Sequence, residues 1–146
     1  MTLYLDASAL VKRYVVERGS RETADLCAKA EIVATSLVSR AEVAAALAKA
    51  VRVGIVEPDQ GRKAQRAFVS QWPDFAKVPV TEALVARAEA LAWDAALRGD
   101  DAVQLASALT WQESVGAAIT LATFDRQLWD AGKQVGMHVW PETLRD

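Results

Sequence analysis

The chain has 146 residues, the size of one ordinary domain, and 52% of them are hydrophobic, which is enough for a buried core. Its formal net charge of −2 excludes a protein that holds nucleic acid by bulk positive charge. Cys27 is the single cysteine, which excludes a disulfide framework within the chain. We therefore expect one cytoplasmic domain over residues 1–146, without a membrane segment or a signal peptide.

Two strands and two helices are predicted first. TLYLD, at residues 2–6, is a short apolar run that ends in an acid, which predicts a buried strand. Ser8 then starts a helix through ALVKRYVV, and Ser20 caps a second helix through RETADLCAKA. EIVATS, at residues 31–36, predicts the second strand.

Two further helices follow the second strand. Ser39 and Glu42 have the S-x-x-E spacing of a capping box, which opens the Ala-rich helix EVAAALAKAVR. Gly54 ends this helix. Pro58 begins another helix, which runs to about Trp72.

The second half continues the alternation of strands and helices. AKVPV predicts a third strand, which Pro79 places at an edge of the sheet. A strongly periodic helix then runs from residue 81 to Gly99, and DAVQLASALTWQ forms the next helix. AAITLATF, at residues 117–124, is the longest strand-like run; a short helix over residues 125–136 and the strand MHVW follow it. This order predicts an α/β fold whose parallel sheet is covered by helices on both faces.

Four acids occupy positions where a strand gives way to a helix or a helix begins: Asp6, Glu42, Asp101 and Asp125. Because ligands of such sheets collect beyond the carboxyl ends of the strands, we expect these carboxylates to converge at one edge. Converging carboxylates repel one another unless a cation joins them. Oxygen-only ligands suit Mg²⁺ or Mn²⁺, and the chemistry that fits is attack on a phosphodiester.

Each acid also has an ordinary structural explanation. Asp6 and Asp125 can serve the turns into their helices, Glu42 completes the capping box, and Asp101 is favoured in a first helical turn. The only histidine, His138, is a predicted strand residue, so a zinc site or a serine triad is disfavoured.

Two hydroxyl residues flank the acids. Ser8 is two residues after Asp6, and Thr123 is two residues before Asp125. Either hydroxyl can support a carboxylate or a metal-bound water. The alternatives are a helix cap for Ser8 and an ordinary strand position for Thr123.

Four segments resemble the signature segments of PIN-domain ribonucleases, most closely the VapC-type toxins of toxin–antitoxin pairs. They are YLDASALVKRYVVERGS, SRAEVAAALAKA, LRGDDAVQLASAL and LATFDRQLWDAG, and they occur in the right order over nearly the whole chain. The first and third segments are quite specific. The third departs from the usual pattern in two places: Asp100 stands where an aromatic residue is common, and Gln104 stands where histidine is frequent.

The resemblance implies a three-layer α/β/α domain with a mostly parallel central sheet of four to five strands. It implies a metal-dependent endoribonuclease, with Asp6, Asp101 and Asp125 binding Mg²⁺ or Mn²⁺ and Glu42 as a ligand or as the residue that orients the attacking water. The acid of the third segment is matched to Asp101, with Asp100 as an additional charge nearby. An RNA substrate, a small antitoxin and a homodimer are implied as partners.

Other functions remain open from the sequence. One is a PIN-type nuclease of RNA maturation that has no antitoxin. Another is a non-catalytic module with an acidic site, such as a receiver domain or a degenerate PIN domain. The chain lacks both G-x-x-x-x-G-K-[ST] and G-x-G-x-x-G, which disfavours nucleotide-binding folds that rely on these loops.

Overall fold

In the computed structural model, which describes residues 1–145, five strands and seven α-helices alternate along the chain. The strands are β1 (Thr2–Leu5), β2 (Ile32–Ser36), β3 (Ala76–Val78), β4 (Thr120–Ala122) and β5 (His138–Trp140). The helices are α1 (Ala7–Val11), α2 (Ser20–Lys29), α3 (Ser39–Arg52), α4 (Pro58–Gln71), α5 (Glu82–Asp94), α6 (Gly99–Val115) and α7 (Arg126–Gln134). None of the helices in this described part of the chain is both long and apolar enough to cross a membrane.

The strands form one sheet in the order β3-β2-β1-β4-β5, and every neighbouring pair is parallel. The central strand β1 pairs with β2 on one side and β4 on the other, so that Leu3 lies between Val33 and Thr120. The carboxyl ends of β1 and β4 are therefore neighbours at one edge of the sheet. The predicted α/β fold is confirmed, and β3 is an edge strand, as Pro79 indicated.

Helices cover both faces of the sheet, which completes the predicted three-layer architecture. Successive side chains of a strand point to opposite faces. Tyr4 accordingly packs in one core, with residues of α5, α6 and α7 such as Leu105 and Leu128. Leu3 and Leu5 pack in the other core, with residues of α1 to α4.

The first two predicted helix starts were wrong. Asp6, not Ser8, is the N-cap of α1, and this helix ends at Val11 because the chain turns there through short-range backbone bonds. The turn lets the Tyr14 ring pack edge-on against Phe68, with 5.4 Å between ring centroids. Ser20 is the first residue of α2 and does not cap it; its hydroxyl accepts from Glu17 N and donates to the Val15 carbonyl.

Gly99 begins a helix, whereas the sequence predicted that it ends one. The preceding helix α5 stops at Asp94 because Ala96 adopts a left-handed conformation, with φ of 52°. The reversal buries Leu97, and Arg98 then caps α6 with extended backbone. The strand β4 is also shorter than the predicted run, since only Thr120–Ala122 pair with the strands on both sides.

Candidate active site

Asp6 lies directly after the central strand and is buried, with 4% of its surface exposed. One carboxylate oxygen, Oδ1, accepts from the Ala9 backbone N–H at 3.0 Å and from the Ser8 hydroxyl at 2.7 Å. The other, Oδ2, accepts from the Thr123 hydroxyl at 2.7 Å. The carboxylate thus caps α1 and is held by both predicted hydroxyls.

The same two hydroxyls connect Asp6 to the loop that follows β4. Ser8 Oγ accepts from the Phe124 backbone N–H at 2.9 Å, and Thr123 Oγ1 accepts from the Asp125 backbone N–H at 3.1 Å. Since each hydroxyl also donates to Asp6, the ends of β1 and β4 are fastened together beyond the sheet. Asp125, which is half-buried, caps α7 by accepting from the Leu128 N–H at 3.0 Å.

Asp101 lies in the first turn of α6 and is 6% exposed. Its Oδ2 atom is buried and has no hydrogen-bond partner. The Arg98 Nε atom lies 3.5 Å from this oxygen, and the Arg98 guanidinium also contacts the exposed Asp100 at 3.1 Å. Arg98 is therefore the cation nearest this acid pair among the described residues.

Glu42 is placed by a contact that its local sequence does not reveal. The predicted capping box was wrong: Val38 is the N-cap of α3, and no side chain caps that helix. The Ser39 hydroxyl is buried and bonds Thr35 and Gln104, while Glu42 Oε1 accepts from Gln104 Nε2 at 2.6 Å. Gln104 comes from α6, one turn after Asp101, so it joins the two acid-bearing helices.

Three of the four acids lie within one another's electrostatic field. The pKa of Asp6 is raised to about 6, chiefly by burial and in small part by the charge of Asp125. Hydrogen bonds from Thr123 and Ser8 act in the opposite direction and limit this rise. The pKa of Asp101 is raised to about 7, first by burial and then by the charges of Asp125 and Asp100. The Arg98 guanidinium acts against the rise at Asp101 but does not cancel it.

Glu42 belongs to the same edge but has a different environment. Burial raises its pKa, the Gln104 hydrogen bond lowers it, and the charge of Asp100 raises it. A groove of about 770 Å³ opens beside the site, lined by Lys12, Phe124 and Trp140 among others, and none of the four acids lines it. The candidate chemistry therefore belongs to the acid edge and not to this groove.

Comparison with known proteins agrees with this geometry. The sequence model described as "PIN domain" matches residues 3–134, which contain all four acids. The chain belongs to the PIN-domain family.

Relatives and solved structures support the same assignment. Ribonuclease VapC49 of Mycobacterium tuberculosis (strain ATCC 25618 / H37Rv) is 35% identical over 143 residues, which cover 97% of this chain and 96% of the relative. PAE2754 from Pyrobaculum aerophilum has a TM-score of 0.65 at 23% identity, covering 95% of this chain and 83% of that one. A toxin–antitoxin complex from Klebsiella pneumoniae has a TM-score of 0.61 at 19% identity, covering 84% and 86%. The resemblance of this PIN domain to VapC-type proteins is confirmed, and the solved structures support the fold.

The donor chemistry of the PIN-domain edge fits a hard divalent cation. In residues 1–145, no three Asp, Glu, His or Cys side chains already stand at the spacing of a metal-binding group. Mg²⁺ does not require one, since it is commonly bound through one or two carboxylates and keeps several waters. Two features would be relieved by a cation: the buried Asp101 Oδ2 atom accepts no hydrogen bond, and the acids repel one another.

The sequence predicted the acids and the two hydroxyls that hold Asp6, but it did not predict the support of Glu42. Asp6 and Asp125 follow strands, and both lie at the expected edge. From the sequence, Gln104 stands out only as a departure from related sequences, and nothing marks Tyr4 as its partner. The i, i+3 spacing of Asp101 and Gln104 on one helix was the available signal, because it places both on the same face.

Proposed function

We propose that the chain is a metal-dependent endoribonuclease of the VapC type and acts as the toxin of a toxin–antitoxin pair, with residues 1–146 forming one nuclease domain. One observation carries the proposal: Asp101 presents a buried oxygen that accepts no hydrogen bond and has the exposed Arg98 as its counter-ion, and the charges of Asp125 and Asp6 act on this carboxylate. Nearly full-length similarity to a protein named Ribonuclease VapC49 supports RNA as the substrate.

The acids have distinct roles in the proposed reaction. Asp6, Asp101 and Asp125 would hold Mg²⁺ or Mn²⁺, and Ser8 and Thr123 keep the Asp6 carboxylate in one orientation through their hydrogen bonds. A divalent ion at such a site lowers the pKa of water and neutralises charge on a phosphoryl oxygen.

Glu42 is suited to orient the attacking water. Its Oε1 atom is held by Gln104, and its Oε2 atom makes no hydrogen bond to the described residues 1–145, which leaves it an acceptor for a water proton. Burial raises the pKa of Glu42, which makes its carboxylate a stronger proton acceptor.

The proposed partners follow from the family and the fold. The substrate would be single-stranded RNA, because unpaired bases and a flexible backbone let a phosphodiester enter an edge site. A small antitoxin is supported by the shared fold of the toxin–antitoxin complex from Klebsiella pneumoniae. A homodimer is part of the proposal, with sedimentation of the purified protein as its measurement.

The decisive experiment is cleavage of a labelled single-stranded RNA by purified protein with Mg²⁺ or Mn²⁺. We expect cleavage that EDTA abolishes and that Asp6→Asn reduces at least about 100-fold, since the reaction depends on positioned charge. Asp94→Asn is the matched control, because Asp94 is an exposed acid at the end of α5.

The outcomes of the cleavage experiment distinguish the proposed toxin from the two alternative functions. Cleavage that survives EDTA or Asp6→Asn contradicts the metal mechanism. Mn²⁺ binding without cleavage of any RNA supports the non-catalytic module instead. Cleavage in a host that encodes no antitoxin beside this chain supports a nuclease of RNA maturation.

A further inference from the structure

Gln104 is a buried amide that joins the two acid-bearing helices. It is 2% exposed and lies on α6, and it contacts Glu42 and Ser39 on α3. Its third contact is Tyr4, in the central strand, which is fully buried. Because this amide is buried, these three side chains are its hydrogen-bond partners, and their chemistry determines which atom donates in each bond.

The chain of hydroxyls next to Gln104 has a fixed direction. Thr35 Oγ1 lies 2.6 Å from the Leu5 carbonyl and 2.8 Å from Ser39 Oγ. A carbonyl oxygen only accepts, so the single hydroxyl proton of Thr35 is committed to Leu5. The Ser39 oxygen, beside Thr35, accepts from Gln104 Nε2 at 2.9 Å.

The amide of Gln104 consequently has one satisfied orientation. Its two N–H groups donate to Ser39 Oγ and to Glu42 Oε1, and its carbonyl oxygen accepts from the Tyr4 hydroxyl at 2.6 Å. Turning the amide over would set its carbonyl against the Glu42 carboxylate and its N–H₂ against the Tyr4 hydroxyl. The network therefore presents a donor to Glu42 at a fixed place.

We infer that Gln104 is the positioning residue that fixes the Glu42 carboxylate for hydrolysis. The inference rests on the proposed nuclease function and deepens it. Gln104 Nε2 is the only hydrogen-bond donor to the Glu42 carboxylate within residues 1–145. Without this donor, the half-buried Glu42 side chain regains its rotamer freedom and its free oxygen is no longer aimed at one point.

The central experiment compares Gln104→Leu with the wild-type protein in steady-state RNA cleavage. Leucine has a similar size but no donor, so we expect kcat to fall about 10- to 100-fold, the usual effect of removing a group that orients a catalytic residue. KM should change by less than about threefold, because Gln104 does not touch the substrate. Gln104→His, which keeps one ring N–H for Glu42, should recover at least about tenfold of the loss.

Gln112→Leu is the matched control for a purely structural effect. Gln112 lies on the same helix at the opposite end of the sheet, where its side-chain oxygen accepts from the Ile119 N–H just before β4. Its substitution removes a comparable hydrogen bond, so it should lower the thermal midpoint without lowering kcat. A kcat loss in Gln112→Leu equal to that in Gln104→Leu would overturn the positioning role.

A crystal structure of Gln104→Leu tests the positioning without using activity. We expect the Glu42 carboxylate to be displaced by roughly 1 Å or more, or to occupy several rotamers, a shift large enough to impair catalysis. If Gln104→Leu does not fold, a Gln104→His structure with Glu42 still bonded to the new ring tests the same contact; Glu42 released from the ring in that structure would contradict the inference.

The two proposals fail in different ways. If wild-type protein cleaves no RNA, the nuclease function fails, and the position of Glu42 in the variant still reports on Gln104. If wild-type protein cleaves RNA and Gln104→Leu matches it in kcat, the function stands and the positioning role is wrong.

Discussion

The carboxyl group of Asp101 carries an unfavourable charge in the folded chain. Its pKa is raised to about 7, first by burial and then by the charges of Asp125 and Asp100, whereas an unfolded Asp has a pKa of about 3.9. Between these values the folded state binds more protons than the unfolded state, so stability falls as the pH rises through the window. The penalty is complete above about pH 7 and absent below about pH 4.

Asp101→Asn should therefore stabilise the metal-free protein at pH 8. Asparagine keeps the shape and removes the charge, and we expect the free energy of unfolding to rise by at least about 1 kcal/mol, the value of roughly one pKa unit. Urea denaturation in EDTA at pH 5 and pH 8 measures this, and the gain should shrink at pH 5. Asp94→Asn is the control, since Asp94 is an exposed acid at the end of α5. Lower stability of Asp101→Asn than of wild type at pH 8 would contradict the charge argument.

The Thr123 hydroxyl has a testable effect on Asp6. It donates to the Asp6 carboxylate and so lowers a pKa that burial raises. Thr123→Val keeps the shape of the side chain and removes the donor, so the pKa of Asp6 should rise further above about 6, and kcat at pH 7 should fall about 10-fold or more. NMR titration of the Asp6 carboxyl carbon measures the shift.

Thr123→Ser is the matched variant, because it retains the hydroxyl. It should restore both the pKa and the rate. An Asp6 pKa that is the same in the valine variant and the wild type would show that the hydrogen bond does not act on ionisation.

At the scale of elements, the sequence predicts the strands and helices that local residue patterns determine. It does not predict helix ends and caps that depend on contacts between distant residues. The strands and helices follow from apolar periodicity, and Asp6 and Asp125 follow from their places after strands. The capping box failed because the Ser39 hydroxyl is bound by Gln104, which is 65 positions away in sequence. Gly99 was assigned to a helix end because the reversal at Ala96 uses a left-handed alanine, which sequence pattern does not predict.

Gly132 controls how closely α7 approaches the sheet. A Cβ atom at this position would lie 2.9 Å from both Leu121 Cδ2 on β4 and Val139 Cγ1 on β5. Gly132→Ala should therefore push α7 outward and lower the free energy of unfolding by about 1–3 kcal/mol, the usual cost of overpacking. Because Asp125 caps this helix, kcat should fall as well.

Gly99→Ala is the matched control for this helix effect. Gly99 begins α6, has open space around it and has no positive φ, so alanine should be neutral or slightly stabilising. Thermal and urea unfolding of both variants give the comparison. Equal stability of Gly132→Ala and wild type would mean that α7 adjusts without strain.

At the scale of the molecule, the two cores support an edge whose acidic charges Arg98 offsets only in part. Asp6, after the central strand, and Asp101, in the first turn of α6, are both buried, and Arg98 is an exposed counter-ion for Asp101. The overall charge of −2 offers no general attraction for RNA. A divalent cation would supply both needs, because it would relieve the repulsion in the fold and give a polyanion a positive point of contact.

Metal binding should therefore appear as stability of the whole domain. At pH 8, Mn²⁺ at about ten times its dissociation constant adds about 1.4 kcal/mol, which corresponds to roughly 5 °C in the thermal midpoint. Asp6→Asn and Asp101→Asn should lose this gain, while Asp94→Asn keeps it. At pH 5 protons occupy the raised carboxyl groups of Asp6 and Asp101, so the gain should shrink in the wild type too. Differential scanning calorimetry measures the thermal midpoint, with NaCl of equal ionic strength as the reference. If Mn²⁺ stabilised Asp6→Asn as much as wild type, the metal would bind at another site.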